Sequence, residues 1–116
     1  MAKSKRRQSE DSDVKLFQQG DVLLFTTNKI PLGVTGRSDG ILAHGELTGH
    51  AHRLANASDG LLYEAEDGTL YLRVGAGGAS ITHEEHAPLT LPPGTYKIGR
   101  VREYDHFAEE ARRVRD

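Results

Sequence analysis

No apolar run in this chain lasts more than a few residues before a glycine, proline, asparagine or aspartate breaks it; Val22-Leu-Leu-Phe25 is among the longest. Such a pattern favours short strands joined by turns about every eight to twelve residues over long amphipathic helices. The clearest local case is 61–74. Asp67-Gly68 separates two β-rich runs there, the signal of a two-residue type I′ hairpin. Pairing Glu66 with Thr69 sets Leu61, Tyr63 and Ala65 opposite Val74, Leu72 and Leu70 on one apolar face. Glu64 and Glu66 then join Tyr71 and Arg73 on the other.

The rest of the chain reads in the same way. Val22 to Thr27 is a strand whose unbroken apolar run suits burial on both faces. Residues 28–40 hold Pro31, Gly33, Gly36 and Gly40 and read as a long loop. Ile41 to Glu46 and His50 to Leu54 are short strands, Asn56 to Gly60 a turn, and Ser80 to Glu85 a strand. Pro88 to Leu91 is an edge segment, because proline cannot donate to a ladder. Thr95 to Tyr104 is the last strand, with a bulge at Gly99 where the apolar parity shifts. Seven or eight short strands predict an all-β fold, a compact antiparallel barrel or two-sheet sandwich. The single β domain spans 14–105. A disordered tail, 1–13, precedes it, and a short polar C-terminal helix, 106–116, follows Asp105 as N-cap.

Composition removes several chemistries. There is no cysteine, which excludes disulfides, thiolate zinc ligation and a cysteine nucleophile and suits a reducing cytoplasm. No apolar run is long enough to span a bilayer, so no membrane partner is expected. The net charge of -2 gives no overall attraction to nucleic acid. Only the basic runs Lys3-Ser-Lys-Arg-Arg7 and Arg112-Arg113-Val-Arg115 could make weak phosphate contacts. Hydrophobic residues make up 36% of the 116, a modest core that self-association often reinforces, so a homo-oligomer is expected.

Against this bland background the histidines stand out. Five of the six lie in two runs, His44-Gly-Glu-Leu-Thr-Gly-His-Ala-His52 and His83-Glu-Glu-His86. On a strand, residues two apart share a face, so His50 and His52 send both rings to one side. His83 can add a nitrogen from a neighbouring strand, and His44, Glu46 and Glu85 complete the candidate set. Without thiols, imidazole nitrogen and carboxylate oxygen are the ligands on offer, and one divalent ion (zinc, iron or manganese) is the cofactor they suit. His86, ahead of Ala87-Pro88, reads as a structural turn residue, since His-x-x-His on a strand points its rings to opposite faces. No serine sits in a nucleophile-elbow context, and Gly75-Ala-Gly-Gly78 lacks the Lys-Ser/Thr of a phosphate loop.

The His50-Ala-His52 pair, followed by Leu91-Pro-Pro-Gly-Thr-Tyr96, resembles parts of the cupin family. That resemblance implies a small β-barrel holding a metal through a His-x-His pair, a glutamate and a later histidine. Only His50 and His52 carry over: Asn56 and Ala57 stand where the glutamate would fall, and Lys97 where the later histidine would. The functional expectation is a small cytoplasmic binding or assembly module with a histidine-lined, metal-binding site. The alternatives are a cupin-type metal-dependent enzyme and a structural homo-oligomer subunit whose basic tails contact nucleic acid or a partner.

Overall fold

The alternation of short apolar runs with turn residues resolves into ten strands in a computed structural model that describes residues 14–45 and 49–101. They are β1 (Leu16–Gln19), β2 (Val22–Thr26), β3 (Thr35–Arg37), β4 (Ile41–His44), β5 (Ala51–Leu54), β6 (Gly60–Glu64), β7 (Leu70–Val74), β8 (Ala79–Thr82), β9 (Leu89–Leu91) and β10 (Gly94–Arg100). A 3-10 turn, Ala57–Asp59, precedes β6, and the Asn56 side chain caps it by accepting from the Ser58 amide. The expected helix over 106–116, the tail over 1–13 and the end of the last strand lie outside the described residues.

Six strands form one sheet in the order β1-β2-β10-β7-β6-β3, and four form a second in the order β4-β5-β8-β9. Every pairing is antiparallel. Neither sheet closes on itself, so of the two expected architectures the closed barrel is set aside. The expected count of seven or eight strands is also corrected. One addition, β3, lies inside the stretch expected to be loop, where Gly36 pairs with Tyr63 through backbone alone. β9 is an edge, as Pro88 requires. β10 runs without a bulge at Gly99; the register shift lies between Ile41 and Ala43 on β4 instead.

Both sheets supply one core. Leu24, Leu72 and Tyr96 from the first meet Leu42, Ile81 and Leu91 from the second, all at most 2% exposed. Each such aliphatic side chain contributes roughly 1.5–3 kcal/mol by leaving water. Val22, Leu23 and Leu24 are all buried, as a strand covered on both faces should be. Tyr96 places its hydroxyl at the edge of the core, where Oη donates to the Pro92 carbonyl at 2.6 Å. Burial raises its pKa above the ordinary phenol value.

The β6–β7 hairpin corrects the expected register by one residue. Leu62 opposes Leu72, Leu61 opposes Arg73, and the loop has three residues. The Gly68 amide donates to the Ala65 carbonyl at 2.9 Å, Gly68 alone of the loop residues has positive φ (90°), and the Asp67 carboxylate accepts from the Thr69 amide at 3.0 Å. A type I′ turn would need Asp67 at positive φ as well. The observed loop instead combines a turn with a left-handed glycine, the usual three-residue solution. Leu61 is consequently 57% exposed and Leu62 only 2%. Among the described residues no helix is long and apolar enough to cross a membrane.

Candidate metal site

At one end of the molecule the β1–β2 turn of the six-stranded sheet meets the start of β5 and the β8–β9 connection of the four-stranded sheet. Gln19 pairs with Val22, so Gly20 and Asp21 form a two-residue turn with glycine in its first position at φ 58°. That turn is one wall. His50 and His52, on either side of Ala51, form the second. The third is residues 83–87, which leave the strand after Thr82 and bend back.

Four imidazoles gather here. The ring centroids of His52 and His83 are 4.3 Å apart, those of His83 and His86 4.7 Å, those of His50 and His83 5.7 Å, and those of His52 and His86 6.0 Å. His86 lies in the bend after β8, as a turn residue should, and its ring also joins the cluster. β8 ends at Thr82, so the strand rule that would send His83 and His86 to opposite faces does not apply. His86 packs onto the turn itself: a Cβ on Gly20 would stand 2.5 Å from His86 Nε2.

Donor atoms of His50, His83 and Glu84 all lie within 4.8 Å of one another, close enough to share an ion. Glu84 is held in place from behind. Its Oε1 accepts from the Ala51 amide at 2.9 Å, and its Oε2 lies 3.7 Å from Arg53 Nη1. The amide bond, with Arg53 adding to it, holds this carboxyl below its ordinary pKa, so it is ionised at neutral pH. The Glu85 amide donates to His83 Nδ1 at 3.0 Å, while its carboxylate lies 3.7 Å from His50 Nδ1.

His52 sits deeper, at 1% exposure. Its Nδ1 lies 2.9 Å from Gln19 Oε1, and its Nε2 lies 3.7 Å from Asp21 Oδ1. Burial first, and then the neighbouring His83, lower its pKa from 6.5 to about 4; Asp21 opposes the shift and does not overcome it. His52 is thus neutral at pH 7. Asp21 is in turn paired with Arg100, whose Nε and Nη2 approach Oδ2 at 3.2 and 3.1 Å.

Of the residues expected from sequence, His50, His52 and His83 come together. Glu85 stands beside them and contributes mainly its amide. His44 ends β4 with its side chain exposed and takes part through its carbonyl, which accepts from Arg100 Nη2 at 3.1 Å. Glu46 lies outside the described residues. The ligand set expected from sequence left out Glu84, which reads there only as a candidate acid–base group beside the histidines, and His86, Gln19 and Asp21. Glu84 and His86 stood in the same short run as His83, which was the available signal. Nothing local marks Gln19 and Asp21, which reach the histidines only through the pairing of the two sheets.

No curated protein and no solved structure matches the chain. Residues 18–101 match the family described as "Domain of unknown function (DUF8820)". That span is well over half of the sequence and includes every residue of the site, and the chain belongs to this family.

Proposed function

We propose that this protein is a small metal-binding module that captures a divalent transition-metal ion at His50, His83 and Glu84. The observation that carries this reading is the approach of those three donor groups to within 4.8 Å, inside a cluster of four imidazoles. Two nitrogens and one ionised oxygen are a donor set that zinc accepts, and iron or manganese tolerate. Backbone hydrogen bonds fix Glu84 before any ion arrives. His83 is set differently: its one lone pair is engaged by the Glu85 amide at Nδ1, so ligation by this ring costs that amide its acceptor. The exchange is confined to the bend at 84–86, whose backbone faces water and can rehydrate.

Isothermal titration of chelator-treated protein with zinc tests the reading. One ion per chain is expected, and His50→Ala with His83→Ala should weaken binding at least about a hundredfold while the β-sheet circular dichroism persists. Unchanged zinc affinity in that double variant would remove the site from these residues.

A further inference from the structure

Gln19 is a buried side chain, 4% exposed, with three hydrogen-bonding neighbours. Its Nε2 donates to the carbonyls of Ile81 and Ala87, both at 2.9 Å. Those acceptors settle the orientation of the amide, since a flipped Gln19 would set its oxygen against two carbonyl oxygens. Oε1 therefore faces His52 Nδ1, and an oxygen without a proton can only accept. His52 Nδ1 carries the hydrogen. In a neutral imidazole the other nitrogen, Nε2, then presents a lone pair.

That lone pair faces another acceptor. Asp21 Oδ1 stands 3.7 Å from His52 Nε2, while Oδ2 is engaged by Arg100. Two acceptors facing each other repel unless a cation or donor stands between them. The spacing suits a cation. Two ligands each about 2.0–2.1 Å from a shared ion, at a tetrahedral to trigonal angle, are about 3.3–3.6 Å apart. The observed gap needs only a small contraction.

We infer that His52 Nε2 and Asp21 Oδ1 are inner ligands of the metal ion, and that Gln19 is a positioning residue that locks His52 in the ligating tautomer. The inference rests on the metal-binding reading above; the donors within 4.8 Å of one another are those of His50, His83 and Glu84, so His52 and Asp21 join them on the ion through side-chain movement as it binds. His52 differs from His83 in being ready to bind: its proton is already on the nitrogen turned away from the ion, in the manner of a ligand histidine oriented by an outer hydrogen bond. Asp21 brings a second carboxylate, making the donor set harder and more oxygen-rich than the rim alone.

Nitrogen-15 NMR of the full chain with labelled histidine tests this, with zinc as the probe. Before zinc, His52 should show a protonated Nδ1 and an unprotonated Nε2. Stoichiometric zinc should shift the Nε2 resonance, and Asp21→Asn, which keeps the turn, should weaken zinc binding about tenfold or more. Gln19→Met, which keeps length and removes the acceptor, should mix the two His52 tautomers and lower affinity by a similar factor. The wild-type spectra carry the test if that variant does not fold. A proton on Nε2 before zinc overturns the tautomer lock. Stoichiometric zinc that leaves the His52 signal unmoved, with full affinity in Asp21→Asn, overturns the inner ligands and leaves the rim site standing. Absence of zinc uptake by the wild type overturns both.

Discussion

At the scale of single residues, histidine spacing pointed to a cluster more clearly than to the groups that surround it. The two runs pointed to His50, His52 and His83, and these do meet. Their difference in burial was invisible, because alternation along β5 assigns a face and not a depth. His52 is floor and His50 is rim, since Gln19 and Asp21 close over the first and water reaches the second. Depth has a thermodynamic consequence. In chelator-treated protein His52 has a folded pKa of about 4, against 6.5 for the free side chain. Above pH 6.5 both states leave it neutral and it adds no pH dependence. As pH falls from 6.5 to 4 the unfolded chain takes up a proton that the folded chain refuses, so stability declines across that window and levels off below it. The loss attributable to His52 is up to about 3 kcal/mol. Urea denaturation of the wild type and His52→Gln at pH 7 and pH 4.5 checks this: the wild type should lose more stability between the two, and equal losses would show that His52 is not buried as a neutral base.

At the scale of elements, the turns were legible and their registers less so. Asp67-Gly68 announced a hairpin correctly, but a dipeptide cannot say whether the loop has two residues or three. The choice fell to burial: the three-residue loop turns Leu62 and Leu72 inward, whereas the two-residue loop would turn in Leu61 and Tyr63. β3 was hidden because Thr35-Gly-Arg37 pairs through backbone without an apolar face. The two hairpin glycines allow a controlled comparison. Gly20 and Gly68 both have positive φ, 58° and 90°, but His86 lies against Gly20 while nothing stands within 4 Å of a Cβ at Gly68. Alanine at either position should cost roughly 1–2 kcal/mol from left-handed strain. Only Gly20→Ala also forces the His86 ring, and His83 tilted against it at 4.7 Å, to move. Thermal melts should therefore rank the two variants together, while zinc titration should separate them, with several-fold weaker binding in Gly20→Ala alone. Equal zinc affinity in both would show that the position of His86 is immaterial to the site.

At the scale of the whole molecule, the proposed site spans the seam between the two sheets. Gln19 ends β1 and Asp21 lies in the β1–β2 turn, while in the other sheet His52 lies on β5, His50 just before it, and His83 and Glu84 in the β8–β9 connection. Gln19 already bridges them through the Ile81 and Ala87 carbonyls. An ion held from both sides is linked to global unfolding, because separating the sheets dismantles its coordination. An ion held only by His50-Ala-His52 would be bound nearly as well by the unfolded chain, which keeps that sequence, and would stabilise little. At free zinc one hundred times the dissociation constant, binding to the folded state alone adds about 2.7 kcal/mol. For a domain of this size that corresponds to a rise in Tm of roughly 10–20 °C. Calorimetry across a zinc series should show one cooperative transition moving up by that amount. If zinc binds at one ion per chain and the transition stays where it was, the ion is held by a local segment, and the seam between the sheets is not its site.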